Sequence, residues 1–495
     1  MSQFFNRLPG VLALCLLTIG LFYAGGAFAQ DAAAPASTTE AAAPAKPVAD
    51  AAAAVETAAA EVAEAVAPEE EAAPAGPLLA HQAPLEINEA ATSWILTSTA
   101  LVLLMTMPGL ALFYGGMVRK KNVIATITQS VGVAAVSTLC WFAIGYSLAF
   151  GVGQPMLGFD GDSVQSVIGS TQAAFLNGVT MTSAHSLAPG LPEYLWIAYQ
   201  LTFAIITPAL VTGAFAERLK YSGLLLFTVL WSIFVYAPVA HWVWGGGFLG
   251  SAGVLDFAGG AVVHVNSGVA GLVCALFLGP RKGYGVDAMN AHNPVLTMIG
   301  ASLLLVGWIG FNAGSAWAAD GIAAVALLNT IVAAFAAALT WKIVEVIEKR
   351  KPSLIGILSG LVAGLVAITP AAGFVDPKGA VIIGLIAGPV CYASSVWLKK
   401  LLRYDDSLDA FGIHGAGGVL GALLTGVFAT TAVNGLSDGA NVPTQALGLA
   451  WTIAWSAVVT FIILVICKFT TGLRVTDAQE AEGLDTTLHG EALEH

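Results

Sequence analysis

Charge is what this 495-residue chain has least of: 10% of its residues are Asp, Glu, Lys or Arg, against about 25% in ordinary soluble domains. Together with 57% hydrophobic residues and a mean hydropathy of +0.80, that scarcity excludes a soluble protein and implies one polytopic membrane domain. Bases are fewer than acids, 19 against 31, so the footprint of a nucleic-acid binder is missing. Of five cysteines, Cys15 lies in the leader and Cys140, Cys274, Cys391 and Cys467 lie in apolar runs, so neither a disulfide nor a zinc site is expected. No nucleophile constellation, metal cluster or phosphate-binding loop is present, and neither an enzyme nor a cofactor is expected.

The net charge of -12 is unevenly placed: residues 30–90 hold eleven acids against Lys46 and so account for -10. Residues 1–29 combine Arg7, an apolar stretch from Val11 to Tyr23 and the ending Ala27-Phe28-Ala29, the three parts of a secretory signal cleaved after Ala29. The alternative is an uncleaved first transmembrane helix. Residues 30–88 are Ala, Pro and Glu with few aromatic or branched side chains. Such a segment buries too little to offset the entropy of ordering, and it reads as a disordered external tether.

From Trp94 onward, apolar runs long enough to cross ~30 Å of hydrocarbon recur. Eleven are expected, at about 92–115, 123–150, 194–216, 223–244, 258–279, 293–314, 321–345, 353–372, 379–398, 409–430 and 445–469. The bases gather at alternate connections, among them Arg119-Lys120-Lys121, Arg218, Arg281-Lys282, Lys349-Arg350-Lys351 and Lys399-Lys400, whereas the other connections carry only Lys378. The positive-inside bias then puts the mature N-terminus outside and the C-terminus inside.

Two patterns repeat. Ile206-Thr207-Pro208-Ala209 in span 3 returns as Ile368-Thr369-Pro370-Ala371 in span 8, and Asp256, His264 and Gly268 around span 5 return with the same offsets as Asp406, His414 and Gly418 around span 10. Both pairings join spans five apart, so the copies run in opposite directions, an inverted repeat of the transporter kind. Pro108, Pro208 and Pro370 are expected to bend their spans.

Ionisable residues inside the bilayer default to a functional hypothesis, and His264 and His414 occupy matching places in the two copies. Two neutral rings in a narrow apolar path could pass a proton or a small polar molecule; the competing reading is imidazoles satisfied by neighbouring helices. His241 reads as packing at a span end, Asp256 and Asp409 as caps or turn residues, and His81, His185, His292, His489 and His495 as loop or tail residues without a role. Trp244, Phe203 and Phe311 could attract a cation through their ring faces, worth about 0.5–2 kcal/mol per ring. A buried ion costs at least about 2.5–3.5 kcal/mol on insertion scales, so such rings recruit a cation without carrying it through.

The segments MPGLALFYGGMVRKKN (107–122), TFAIITPALVTGAFAER (202–218), AHWVWGGGFL with LDFAGGAVVHVNSG (240–268), GWIGFNAGSA (307–316) and DDSLDAFGIHGAGG (405–418) together resemble the ammonium transporter family (Amt/Mep/Rhesus), its bacterial Amt branch in particular. The resemblance runs from about Ala90 to the end. It implies an all-α membrane domain over 89–470 with eleven spans in an inverted five-plus-five repeat, a homotrimer with one pore per subunit, and residence in the cell inner (plasma) membrane. By motif, Trp244, Phe203 and Ser315 resemble an external ammonium-recruiting site with Tyr199 behind it, and Phe203 and Phe311 a stacked gate. Trp308 and Thr369 resemble pore-lining residues, His264 and His414 the twin histidines, and Asp256 a structural acid near the site. The tail, 471–495, resembles a cytoplasmic regulatory segment that implies control by a PII nitrogen-regulatory protein. Two other functions stay open: an ammonium sensor signalling through its tail, and a passive ammonia gas channel.

Overall fold

A computed structural model describes residues 78–152 and 165–493. The signal over 1–29 and residues 30–77 of the expected tether lie outside the described residues. Among the described residues, ten helices are long and apolar enough to cross a membrane: α1 (Glu89–Met117), α2 (Lys120–Phe150), α3 (Glu193–Phe215), α4 (Tyr221–Ser251), α5 (Gly260–Leu278), α6 (Pro294–Gly314), α7 (Gly321–Lys349), α9 (Pro377–Leu402), α10 (Phe411–Phe428) and α11 (Val442–Phe469). Between α7 and α9 lies the shorter apolar helix α8 (Leu354–Ile368). The chain is an all-α polytopic membrane protein.

Six of the helices, α1, α6, α7, α8, α9 and α11, start where the sequence offers a cap. Asn88, Asn293, Asp320, Ser353, Asp376 and Asn441 each accept a hydrogen bond from a backbone N–H of the first turn, and α6, α9 and α11 have proline at the start as well. Such side chains satisfy donors that the helical ladder leaves over. Helix α8 runs 15 residues and stops at Ile368, short of the expected end at 372, because Pro370 has no N–H with which to continue. Pro208 behaves differently and stays inside α3.

Helices α7, α8 and α9 pack through small residues, since lipid supplies no hydrophobic drive and close backbone approach must supply the contact. A side chain on Gly360 would come within 2.5 Å of the Trp341 Cβ. Ala333, Ala337, Ala367, Ile383 and Ala387 are fully buried in the same cluster.

The expected tether is corrected at its end, because residues 78–88 are ordered. Strand β1 (Gln82–Pro84) pairs antiparallel with β2 (Ser183–His185), Ala83 opposite Ala184. At the opposite ends of the helices, the tail folds onto the protein. Leu219 and Arg474 form an antiparallel bridge, and helix α12 (Asp477–Glu482) follows, closed at its start by a capping box of Thr476 and Gln479. Leu484 is buried, and its N–H donates to Asn122 Oδ1 at 2.9 Å.

Candidate functional site

The site is built on the starts of α5 and α10. Both begin with a π-helical turn, Gly260–Val265 and Phe411–Gly415, and such turns concentrate at functional positions because they re-aim side chains. Each turn is held by a buried aspartate eight residues before the histidine. Asp256 accepts the N–H groups of Gly259 (2.9 Å), Gly260 (2.5 Å), Ala261 (2.8 Å) and Val262 (3.0 Å). Asp406 accepts those of Ala410 (3.0 Å) and Phe411 (2.8 Å). Asp409, read from the sequence as a cap or turn residue, has φ +60 just before α10 and its carboxylate pairs with Lys399, while Asp406, the repeat partner of Asp256, does the capping. Burial pushes the Asp406 carboxyl up to about 6, helped by the nearby Asp409.

So aimed, the two imidazoles meet. Nδ1 of His264 lies 3.3 Å from Nδ1 of His414, with ring centroids 5.3 Å apart. In that bond one nitrogen donates and the other accepts, so two cationic rings are incompatible with it. Helices α5 and α10 come this close because glycine stands at the crossing: a side chain on Gly268 would run into the Gly415 backbone, and one on Gly418 would come within 2.9 Å of Gly260 O.

Above the histidines the aromatic residues form a continuous series. Trp308 stacks on His264 at 5.3 Å, and Phe311 lies 6.0 Å from the same ring. Phe203 covers Phe311, with centroids 4.4 Å apart and planes 31° apart. Trp244 meets Phe203 edge to face at 5.7 Å, and its indole N–H donates to Asp256 O at 2.8 Å, which fixes the ring. Phe203, Phe311 and His264 are buried, whereas Trp244 and Ser315 are half-buried, so the series runs from an accessible mouth into a closed interior.

Ser315 and Tyr199 form the polar part of the mouth. Their hydroxyls are 3.3 Å apart, and Tyr199 also reaches Gly310 O (3.0 Å) and Phe311 O (3.1 Å). On the other side of the gate, Trp308 Nε1 donates to Thr369 Oγ1 at 2.9 Å. Thr369 bonds back to Leu365 O as Thr207 does to Phe203 O, one more match between the repeated segments. All ten residues singled out by sequence are thus brought into one series of contacts or directly support it.

Sequence reasoning missed several buried polar groups. His241 is bonded on both nitrogens, to Ala149 O (2.9 Å) and Gln165 O (2.6 Å). His81 contacts Glu193 at 3.0 Å. At the tail side, Arg281 grips Asp405 with its backbone N–H, Nε and Nη2 at 2.7–2.9 Å, and Arg218 donates to Asp405 O at 2.6 Å. Their only sequence signal is charge beside apolar helix ends.

A multi-pass helical membrane fold, with a sparsely charged aromatic path leading to paired imidazoles, defines the class of small-molecule transport proteins. The comparisons narrow that class. Residues 93–493 match the Ammonium Transporter Family, and the chain belongs to it. It is 47% identical to an ammonium transporter of Aquifex aeolicus over 83% of this chain and 95% of that protein. It is also 47% identical to one of Bacillus subtilis, over 79% and 95%. The crystal structure of Saccharomyces cerevisiae Mep2 superimposes with a TM-score of 0.71 at 36% identity, covering 79% of this chain and 91% of that one.

Proposed function

We propose that this protein takes up ammonium by recruiting the ion, removing its proton and conducting neutral ammonia. The single observation that carries this reading is the unbroken contact series Trp244, Phe203, Phe311, His264, His414. Trp244, Phe203 and Ser315 form the recruiting mouth with Tyr199 behind, Phe203 and Phe311 close it, and Trp308 and Thr369 line the path beside the histidines.

Energetics favour the neutral species. With a pKa near that of a lysine amine, ~10.4, deprotonation at pH 7 costs about 4–5 kcal/mol. Taking the intact ion into a dry interior costs of order 20 kcal/mol before relaxation. Potassium has no proton to lose, so the same path discriminates against an ion of similar size. The proton crosses separately, with His264 and His414 as part of its relay, which makes uptake electrogenic.

The assembly that goes with this reading is a homotrimer in the inner membrane, with eleven spans per subunit, N-terminus outside and C-terminus inside. Residues 1–29 serve as signal, and the tail over 471–495 receives a PII protein. The test is current from purified protein in proteoliposomes on an ammonium step, with a potassium step as control. Equal currents with the two ions, or none with ammonium, would overturn the reading.

A further inference from the structure

The N-terminal segment that the sequence offers as a featureless tether ends in strand β1, paired with the sequence-distant β2, and His81, the residue leading into β1, reaches the helix that carries Phe203. Glu193, the first residue of α3, is fully buried, ten residues before Phe203 and six before Tyr199 on the same helix. A buried carboxylate needs donors on its oxygens. His81 Nε2 lies 3.0 Å from Oε1, Gln82 Nε2 donates to Oε2 at 2.6 Å, and the Tyr146 hydroxyl donates to Oε1 at 2.7 Å. His81 and Gln82 thus bring two donors from the β1 segment, and Ser183 of β2 adds a further side-chain hydrogen bond. His81 Nδ1 is buried with no bonding partner among the described residues, so the ring is held by Glu193 and by packing alone.

That packing leads to the mouth. The His81 ring lies 5.4 Å from His185, which stacks on Trp196 at 5.2 Å and 18°. Trp196 meets Trp317 edge-on at 4.5 Å. Trp317 has φ +56, a left-handed backbone that a bulky residue adopts only when its surroundings impose it, and it lies two residues past Ser315. Residues 315–317 form one tight turn, with Trp317 N–H donating to Gly314 O at 2.9 Å.

We propose that His81 is a positioning residue for ammonium recruitment: by holding Glu193 and backing the His185–Trp196–Trp317 stack, it sets the Ser315 turn against Tyr199 and Phe203. The inference rests on the transport reading above and gives the β1 segment a part in it. Removing His81 loosens the mouth without touching the gate or the twin histidines. The half-saturating ammonium concentration then rises while maximal current is kept.

The experiment compares full-length wild type, His81→Ala, His81→Gln and Gln82→Ala in proteoliposomes, recording ammonium-evoked current against ammonium concentration. His81→Ala should raise the half-saturating concentration roughly three- to tenfold, the scale of coupling through packed side chains, with maximal current within about twofold. His81→Gln, which keeps a donor toward Glu193, should restore most of the wild-type value. Gln82→Ala, which removes the neighbouring donor from the β1 segment, should shift it the same way as His81→Ala, and decides the matter if His81→Ala does not fold. Half-saturation unchanged in His81→Ala and Gln82→Ala, or a loss of maximal current alone, overturns the positioning role. A wild type without ammonium current overturns the transport reading instead.

Discussion

His264 and His414 face each other through like atoms, Nδ1 to Nδ1 at 3.3 Å, across helices whose starts are both wound as π turns and capped by an aspartate eight residues upstream. One ring must donate and the other accept, so the roles reverse only when a proton enters at Nε2 of the donor ring, the shared proton crosses between the Nδ1 atoms, and a proton leaves from Nε2 of the other ring, which passes one proton through the pair. Replacing both with leucine removes that route and should abolish ammonium-evoked current in proteoliposomes. Current of wild-type size and selectivity in the double variant would sink the relay.

The cap under His264 sets a second expectation. Asp256 satisfies four backbone N–H groups at once, and its own carbonyl holds the Trp244 indole. Asp256→Ala orphans those donors, and each buried unsatisfied group costs about 1–3 kcal/mol. Thermal unfolding in detergent should show a loss of at least about 3 kcal/mol, with transport falling too because the π turn no longer aims the imidazole. Asp256→Asn, which keeps an acceptor, should lose less. An alanine variant as stable as wild type would show that the turn holds itself.

Much of this site was legible in the chain. Repeated offsets pair Asp256 with Asp406 and His264 with His414, and the motifs carry Trp244, Phe203, Phe311 and Ser315 because those residues lie within or beside the apolar runs that hold them. What the sequence concealed was long-range. His81 and Glu193 are 112 residues apart, and nothing local distinguishes His81 from any loop histidine. Asp409 reads as a cap or turn residue because it lies nearer the span, yet two backbone N–H groups point at Asp406. The tail was composed like a solvated segment, and only its tertiary partners reveal why Leu484 is buried.

Arg281 and Asp405 form a buried pair at the tail side, with a second arginine, Arg218, 3.8 Å away. Burial alone would raise the Asp405 carboxyl, but the Arg281 hydrogen bonds and the two guanidinium charges hold it below the ordinary 3.8. A depressed carboxylate contributes stability that is present above 3.8 and is lost as pH falls through the lower folded value. Asp405→Asn should therefore cost about 3–5 kcal/mol at pH 7, the range for stripping a buried pair of one member. The gap to wild type should close in strong acid, below pH 3.8, as measured by unfolding midpoints. A gap that does not change with pH would argue against a charge-based origin.

Acid acts differently on the β1–β2 side. Burial pushes the His185 imidazole from 6.5 down to about 4, so the folded protein binds fewer protons there than the unfolded chain. Stability must then fall as pH drops from 6.5 to 4, by roughly 3 kcal/mol over the whole window. His185→Phe keeps a ring against Trp196 without the titration. Unfolding midpoints should therefore decline less between pH 7 and pH 5 in the variant than in wild type, and parallel declines would refute the assignment.

The tail offers the last test. Asp485 Oδ1 accepts the Ala125 N–H at 2.8 Å in the first turns of α2, Glu480 accepts from Arg474 and from the Lys282 N–H, and Leu484 fills the space between. These contacts present the tail as a folded platform, which is what a rigid regulatory partner needs, since ordering a loose segment on binding would cost affinity. A chain truncated after Arg474 loses all of them and should no longer be captured by a PII protein in a pull-down that retains the full chain. Asp485→Ala, which removes one cap worth about 1 kcal/mol, should weaken capture without abolishing it. If the truncated chain holds PII as well as the full one, the partner docks elsewhere and the tail serves only to stabilise the helix ends.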